Sequence, residues 1–210
     1  TLVIHYNVTG YENGQEILYV YANFQALHID TKYPYLGKMK PKKVLILTTP
    51  EFIYNIDLLK KSGSKLRNLK TDLIKKFDSL SQKEKIIVIK NVEELGTAVI
   101  GNIYGKRAPL YKKVLGIDCD LIEIFGVRAL IWPGANIPLK RSRKSEYDDK
   151  SVVTAVKIDK NVSVSSDKFE LPEGVQIFFD KYKNERLENI IMTQFHSMRV
   201  SNAANLARED

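Results

Sequence analysis

Residues 1–23 read TLVIHYNVTGYENGQEILYVYAN, and they contain two runs in which β-branched and aromatic residues alternate with other residues. A period of two is typical of a strand that buries one face. The TGYENGQ segment between the runs supplies glycine and asparagine, which tight turns need. The stretch therefore predicts an N-terminal β-hairpin, and FQALHID (residues 24–30) predicts a third strand.

Further strands are predicted from apolar runs whose length and composition are typical of buried strands. They are KVLILTT (43–49), KIIVIK (85–90), CDLIEIF (119–125), VRALIWP (127–133), SVVTAVKI (151–158) and NVSV (161–164). Between the fourth and fifth of these runs, GANIPLKRSRKSEYDDK (134–150) predicts a long polar loop. Together the runs indicate a central sheet.

Helices are predicted where capping residues precede apolar positions spaced three and four apart. Thr49 followed by Pro50 is typical of a helix start, so a helix is expected over 50–62. A second helix is expected from Ser64, and a third over 91–105. The second helix would carry its apolar stripe on Leu66, Leu69, Leu73, Phe77 and Leu80. The last forty residues predict a C-terminal helix with a stripe of Leu187, Ile190, Ile191, Phe195 and Met198.

These elements define the expected fold class. We predict an α+β or α/β protein with an N-terminal β-hairpin region, a central mixed sheet with flanking basic helices, and a C-terminal helix. The segment TKYPYLGKMKPKK, which contains two prolines, a glycine and five lysines, suggests a boundary. The expected division is a hairpin region over 1–37 and an α/β core over 38–210, with a single domain as the alternative.

The positive charge is concentrated in one segment. Residues 38–76 contain eleven basic and three acidic residues, a balance of +8, and the whole chain is also +8, so the remainder is neutral. A clustered basic surface attracts polyanions, whereas scattered lysines mainly keep a protein soluble. A second basic block, KRSRK, spans 140–144, and three acidic residues follow it closely.

The first functional hypothesis is therefore a non-enzymatic nucleic-acid-binding or chromatin/ribonucleoprotein assembly module, with DNA or RNA as its partner. Its phosphate-contacting residues would be Lys42, Lys43, Lys60, Lys61, Lys65, Arg67, Lys70, Lys75, Lys76, Lys140, Arg141, Arg143 and Lys144. Tyr33, Tyr35 and Tyr54 lie nearby in the sequence and could stack on bases. The alternative for the lysine-rich helix face is a solvated surface with no ligand.

Asp118 and Asp120 are the candidate metal ligands. In a strand they would project from the same face, where two carboxylates repel each other unless a cation joins them. A hard divalent ion such as Mg²⁺ or Mn²⁺ uses one or two carboxylates together with substrate phosphates. The alternative is that Gly116, Ile117 and Asp118 form a turn and that only Asp120 enters the strand. Either carboxylate would then pair with Lys112, Lys113 or Arg128.

The surrounding pattern resembles the nucleotidyltransferases related to DNA polymerase beta. Gly105 and Lys106 are followed by eleven residues and then by DCDL. The resemblance implies metal ligation by Asp118 and Asp120, with Asp159 as a third carboxylate, and a metal-dependent nucleotidyl- or phosphoryl-transfer reaction. Lys106 departs from the family pattern, which has a small hydroxyl residue there. GIDCD is also similar to the first strand of ribonuclease H-like folds, which would likewise place a metal at Asp118.

Other features narrow the functional classes. The chain has no glycine-rich phosphate loop that ends in Lys-Ser or Lys-Thr, and no G-x-G-x-x-G after a strand. Its one cysteine, Cys119, excludes an internal disulfide and a multi-cysteine zinc site. We expect an intracellular location, which for a nucleic-acid-binding protein includes the nucleus, and no membrane partner. A protein–protein interaction domain whose lysines serve solubility is the further alternative; cofactors are expected only for the metal-dependent enzyme.

Overall fold

The computed structural model describes residues 1–95, 106–124, 127–144 and 150–189. The protein is mostly β, with one twelve-stranded mixed sheet and a few short helices. The first strands are β1 Leu2–Gly10, β2 Asn13–Tyr21, β3 Phe24–Tyr35, β4 Lys38–Thr48, β5 Phe52–Asp57 and β6 Ser62–Arg67. Then come α1 Lys70–Asp78, α2 Gln82–Leu95, β7 Lys106–Val114, β8 Ile117–Ile124, β9 Val127–Trp132, β10 Ile137–Lys144 and β11 Lys150–Lys160. A 3-10 helix Ser166–Phe169, β12 Gln176–Phe179 and a helix α3 over 181–189 complete the described elements.

The sheet consists of two antiparallel meanders that lie side by side. The strand order is β12-β6-β5-β4-β3-β2-β1-β11-β10-β9-β8-β7, so β1 joins the first meander to the second by pairing with β11. Strand β12 makes the sheet mixed, because it pairs with β6 in parallel. The strands of residues 1–35 thus belong to the same sheet as the rest, and β3 pairs with β4 across the proposed boundary at residue 38.

The predicted hairpin at residues 1–23 forms as β1 and β2, with Leu2 opposite Val20 and Val8 opposite Gly14. Gly14 has φ +148, and a Cβ there would lie 2.3 Å from the backbone oxygen of Asp30 in β3, so the close approach of the strands requires glycine. The predicted strands in 24–30, 43–49, 119–125, 127–133 and 151–158 are also present as β3, β4, β8, β9 and β11.

Alternate residues of these strands fill two cores. The larger core contains Ile4, Tyr6, Val8, Cys119, Leu130, Ile137, Leu139, Val153 and Ala155. The second contains Ala26, Leu45, Leu47 and Ile56, and Phe169, Val175 and Ile177 from the chain after β11 pack against it. Because neighbouring residues of a strand point to opposite faces, the two sides of the first meander have different surroundings.

The prediction of a helix over 50–62 is wrong, because β5 occupies most of that segment. The side chain of Thr49 does accept a hydrogen bond from the Phe52 N–H at 3.0 Å, as a helix cap would. Here, however, the bond closes a tight turn between β4 and β5, since Thr49 N–H also donates to the Phe52 carbonyl at 2.8 Å. The aromatic and β-branched residues of FIYNID then favour a strand.

The second helix begins later than predicted. Residues 62–67 form β6, and α1 starts only at Lys70. Gly63 lies so close to β5 that a Cβ would stand 2.5 Å from the Asn55 carbonyl oxygen, which suits a strand and not a helix interior. The apolar stripe is present from Leu69 onward, where α1 packs against α2 and α3 through Leu69, Leu73, Phe77, Leu80, Ile87, Val88 and Leu187.

The prediction of a strand over 85–90 is also wrong, since this run lies inside α2. The physical cause is a capping box immediately before it: Ser81 N–H donates to Glu84 Oε2 at 2.8 Å, and Glu84 N–H donates to Ser81 Oγ at 3.3 Å. Because α2 extends to Leu95, Asn91 is not a helix start, and the remainder of the predicted 91–105 helix lies outside the described residues.

Two further differences and one agreement concern the second half of the chain. The predicted polar loop over 134–150 contains β10, so the whole KRSRK block lies in a paired strand. The residues 161–164 form no strand. The C-terminal helix is present over 181–189, and the rest of its predicted stripe lies outside the described residues.

Candidate nucleic-acid interface

The β3–β4 hairpin extends past both of its neighbours in the sheet. The last β2 partner of β3 is Asn13, which lies opposite Lys32, and the last β5 partner of β4 is Asp57, which lies opposite Val44. Strands β3 and β4 continue to pair with each other as far as Tyr35 and Lys38. Residues 33–40 therefore form a two-stranded segment that has no other strand beside it in the described part of the chain. We call it the β3–β4 ribbon.

One face of the β3–β4 ribbon alternates aromatic and basic side chains. Tyr35 lies opposite Lys38 and Tyr33 lies opposite Lys40, so strand geometry places all four on the same side. The Lys40 Nζ lies 3.7 Å from the centroid of the Tyr35 ring, a cation–π contact. Tyr35 is 44% exposed, and both lysines are exposed. We call this face, which consists of Tyr33, Tyr35, Lys38 and Lys40, the Tyr/Lys face.

The ribbon carries a local excess of positive charge. No acidic residue occurs between Asp30 and Glu51, and five lysines do: Lys32, Lys38, Lys40, Lys42 and Lys43. The last two are partly neutralised at the base of the ribbon, where Lys42 pairs with Glu12 at 2.9 Å and Lys43 with Asp30 at 3.0 Å. In the described part of the protein, the other three lysines form no ion pair with a carboxylate.

Buried polar contacts hold the base of the ribbon in place. The buried carboxylate of Glu12 accepts hydrogen bonds from the Lys42 ammonium and from Thr31 Oγ1, the latter at 3.1 Å. The Glu12 N–H donates to Ser151 Oγ in β11 at 2.8 Å. Tyr11 also contacts the ribbon, since its hydroxyl donates to the Pro34 carbonyl at 3.2 Å. These hydrogen bonds therefore fix the base of the ribbon, from which the Tyr/Lys face projects.

The tip and the opposite face of the ribbon are apolar. Leu36, in the turn, is 87% exposed, and Met39 is 50% exposed. Leu36 has φ +49, followed by Gly37 with φ +75, which is the geometry of a tight two-residue hairpin turn. This arrangement was not predicted, because the two prolines and the glycine of TKYPYLGKMKPKK are typical of a boundary. The signal was present in TKYPYLGKMK, where tyrosines and lysines alternate on either side of Leu-Gly.

The remaining predicted basic residues of the segment do not form one helical face. Lys60 and Lys61 lie in the turn between β5 and β6, where Lys60 pairs with Asp57 at 3.5 Å. Lys65 and Arg67 project from β6, and Lys70, Lys75 and Lys76 belong to α1. Arg67 lies 3.7 Å from Asp72 and 3.9 Å from Glu188. The predicted basic helix is thus divided among a turn, a strand and a helix.

One residue of the KRSRK block, Arg141, makes contacts within the sheet. Arg141 forms an ion pair with Glu16, which is fully buried, and its guanidinium lies 5.6 Å from the Tyr6 ring centroid. The Tyr6 hydroxyl donates to the Pro138 carbonyl at 3.0 Å, and burial raises the pKa of Tyr6 far above its usual value. Lys140 is exposed. The side chains of Arg143 and Lys144 lie outside the described part of the structure.

Both candidate metal ligands lie on β8 and have protein partners. Asp118 is exposed, and its carboxylate is 3.6 Å from the Lys113 ammonium, which is one of the partners that the alternative names. The alternative is wrong in placing Asp118 in a turn, because β8 begins at Ile117 and Asp118 pairs with Lys113 of β7. Asp120 is buried and accepts a hydrogen bond from the Leu110 N–H at 2.9 Å. Leu110 has φ +50 and sits where the β7–β8 register shifts, so Asp120 satisfies the backbone of an irregularity in β7.

The third carboxylate of the metal hypothesis belongs to another cluster. Asp159, on β11, contacts Lys157 at 2.8 Å and His5 at 3.2 Å, and the Lys157 hydrogen bond is the main cause that lowers its pKa. Among the described residues, no group of three or more His, Cys, Asp and Glu is arranged to hold a metal ion. Gly105 and the side chain of Lys106 lie outside the description. Cys119 is fully buried, which raises the pKa of its thiol.

Comparison with known proteins gives a limited result. No family model matches the chain, and no curated protein matches it. Among solved structures, an uncharacterized conserved protein from Thermus thermophilus matches with a TM-score of 0.44 at 10% identity, over 84% of this chain and 90% of that one. Two structures of PNGF-II match with a TM-score of 0.37, at 10% and 11% identity. They are matched over 92% of this chain but only 33% of their own.

Within the described ranges, no helix combines the length and the apolar character that a bilayer-spanning segment needs.

Proposed function

We propose that this protein binds single-stranded nucleic acid through the Tyr/Lys face of the β3–β4 ribbon. The observation that carries the proposal is the cross-strand alternation of Tyr33 and Tyr35 with Lys40 and Lys38 on one face. Proteins that bind single strands without sequence preference combine aromatic platforms for bases with cations that follow the phosphates. The Tyr/Lys face offers both kinds of group in one plane.

The charge distribution favours this location over Arg141 of the KRSRK block. Lys38 and Lys40 have no carboxylate partner in the described structure, whereas Arg141 is paired with the buried Glu16. A cation in a buried ion pair gains little from a phosphate, because its carboxylate would be left buried when the pair is broken. We expect Lys32, Lys42 and Lys43 at the base to strengthen attraction of the strand without contacting bases.

Fluorescence anisotropy with a labelled single strand of about 20 nucleotides, measured across a salt series, tests the proposal. Each phosphate contact on a single strand contributes about 0.7 to the slope of log affinity against log salt. The double variant Lys38→Gln/Lys40→Gln should therefore lower the magnitude of the slope by about 1.4. The matched control is Lys83→Gln/Lys112→Gln, which removes the same charge from exposed lysines on α2 and β7.

The outcomes separate nucleic acid from other anionic surfaces. Equal effects of the two double variants would show that net charge alone drives binding, and the proposal would fail. Sedimentation with vesicles that contain phosphatidylserine is the second arm, since Leu36 and Met39 give the ribbon an exposed apolar tip. Tight vesicle binding, lost in Leu36→Ser, combined with weak binding to every oligonucleotide, would assign the ribbon to a lipid surface instead.

A further inference from the structure

A second candidate site lies at the other end of β4, where the chain turns into β5. A cavity of about 680 Å³ opens there, between the 49–52 turn, the end of β6, the first turn of α1 and the end of β12. This volume is within the range of small-molecule sites in proteins, about 300–1,000 Å³. We call it the β6 pocket. It is separate from the β3–β4 ribbon and has no part in the function proposed above.

Strand register explains how the β6 pocket acquires its aromatic walls. Lys65 and Arg67 are two residues apart on β6 and so share a face. Phe52 in β5 lies opposite Arg67, and Phe179 in β12 lies beside Lys65. The two cations are thus flanked by a phenyl ring on each side. The Lys65 Nζ lies 4.5 Å from the Phe52 ring centroid.

The β6 pocket also contains two carboxylates. Glu51 comes from the turn before β5, and Asp72 comes from the first turn of α1. The formal charge of the lining residues is therefore balanced: two cations, Lys65 and Arg67, face two anions. A simple anion would be attracted by one pair and repelled by the other. A ligand that carries both charges could use all four groups.

The existing ion pairs of Arg67 are long enough to be replaced. Its guanidinium lies 3.7 Å from Asp72 and 3.9 Å from Glu188, compared with about 2.7–2.9 Å for a well-formed charge-assisted hydrogen bond. A ligand carboxylate on Arg67 and a ligand ammonium on Asp72 would exchange one long contact for two short ones. The pair is exposed, at 57% and 64%, so little is lost when it opens.

The backbone around the β6 pocket is held by hydrogen bonds that fix the positions from which these side chains project. Asn68 N–H donates to the Glu51 carbonyl at 2.7 Å, and Asn68 Nδ2 donates to the Thr49 carbonyl at 2.7 Å. The Arg67 N–H donates to Oδ1 of the buried Asn184 at 2.9 Å, which ties the end of β6 to α3. A preformed site loses less conformational freedom when it binds a ligand.

We propose that the β6 pocket binds a zwitterion with a flat apolar group, such as a free aromatic amino acid. The ring would lie between Phe52 and Phe179, the carboxylate would contact Arg67 and Lys65, and the ammonium would contact Asp72.

Four probes measured by saturation-transfer NMR test this proposal: L-phenylalanine, 2-phenylethylamine, phenylacetate and glycine. Phenylalanine should bind at least about ten-fold more tightly than each of the others, because loss of a charge-assisted hydrogen bond or of the ring costs about this factor or more. Arg67→Gln should reduce phenylalanine to the affinity of 2-phenylethylamine. Asp72→Asn should reduce it to the affinity of phenylacetate.

The controls use exposed positions, so that the fold is retained. Phe179→Ala should weaken phenylalanine binding at least about five-fold, since an aromatic stacking partner is lost. Phe178→Ala, its neighbour on the opposite face of β12, should leave the affinity unchanged. Phenylalanine that binds no more tightly than the two singly charged probes would overturn the proposal, as would equal effects of the two phenylalanine-to-alanine variants.

Discussion

The Lys40 ammonium lies 3.7 Å from the centroid of the Tyr35 ring, across the β3–β4 ribbon. The contact keeps the lysine above the ring face in the free protein, where a nucleotide base would stack. Base and ammonium would then compete for one side of Tyr35, with the ammonium moving to the adjacent phosphate. Under the proposed function, we expect a strand to bind the Tyr/Lys face through this side-chain movement, without rearrangement of the backbone.

Removal of the aromatic platforms should weaken nucleic-acid binding without loss of stability. Stacking contributes about 1–3 kcal/mol per base in alanine substitutions, so Tyr33→Ala and Tyr35→Ala should each reduce affinity at least about five-fold. Because no other strand among the described residues pairs with the ribbon, we expect the midpoint of thermal unfolding to stay within about 2 °C of the parent protein. Anisotropy and calorimetry measure the two effects. An affinity that does not change in either variant would argue against stacking on the Tyr/Lys face.

The carboxylates of β8 should differ in their effect on stability. Asp120→Ala leaves the Leu110 N–H without its acceptor, so the free energy of unfolding should fall by about 1–3 kcal/mol. Asp118→Ala removes only an exposed ion pair with Lys113 and should cost less than about 1 kcal/mol. Urea denaturation gives both values.

Asp118 also provides a direct test of the metal hypothesis. We expect the wild-type protein and Asp118→Asn to give the same heat when each is titrated with Mn²⁺ in the presence of a nucleotide. Saturable Mn²⁺ binding that disappears in this variant would revive Asp118 as a ligand and favour the phosphoryl-transfer alternative.

The buried ion pair between β2 and β10 should behave as a coupled unit. Arg141→Ala removes the guanidinium that is paired with the buried Glu16 carboxylate, and we expect a loss of about 3–5 kcal/mol in unfolding free energy. The double variant Glu16→Leu/Arg141→Met should recover much of that loss, because apolar residues of similar size remove the need to solvate either charge. A double-mutant cycle of the single variants Glu16→Leu and Arg141→Met with this double variant, measured by urea denaturation, checks the coupling. Additive losses would show that the pair is not the reason why Arg141 points inward.

His28 should give the protein a pH-dependent stability. Burial lowers the pKa of His28 from 6.5, and its Nε2 has no hydrogen-bond partner in the described structure. The unfolded state therefore binds a proton more readily than the folded state. The contribution of neutral His28 to the free energy of unfolding is therefore fully present above pH 6.5. It is lost as the pH falls from 6.5 toward the lowered pKa of the folded state.

Replacement of this histidine should flatten the pH profile. His28→Phe keeps an aromatic ring against Tyr19, whose ring centroid lies 5.4 Å from that of His28, and removes the titrating group. Thermal midpoints measured between about pH 7.5 and 5 should decline less steeply in the variant than in the parent. Parallel profiles would mean that other groups are responsible for the acid sensitivity.

The sequence predicted strands better than helices, and two residues explain why. Thr49 has the residue type and the hydrogen bond of a helix cap, but pairing with both β4 and β6 favours a strand for the residues that follow it. In the opposite direction, the apolar run over 85–90 has the composition of a strand. The Ser81–Glu84 capping box before it directs the chain into α2. Both segments therefore follow a local capping signal, but only the Ser81–Glu84 capping box leads into a helix.

The candidate site was harder to predict because charge counts do not show which cations are already paired. Lys38 and Lys40 were counted in the basic segment, but their position opposite Tyr35 and Tyr33 depends on the register of β3 and β4. Arg141 was predicted to contact phosphate, and its pairing with Glu16 required knowledge that β1 lies between β2 and β11. Contacts between distant segments cannot be read from local composition.

The most direct test of the central claim is photo-crosslinking. A single-stranded oligonucleotide that contains 4-thiothymidine is irradiated with the protein at low salt, and the crosslinked peptide is identified by mass spectrometry. Our account predicts crosslinks within residues 33–40, which Tyr33→Ala/Tyr35→Ala removes. Crosslinks confined to α1 or β10, or none at a concentration that saturates binding, would contradict it.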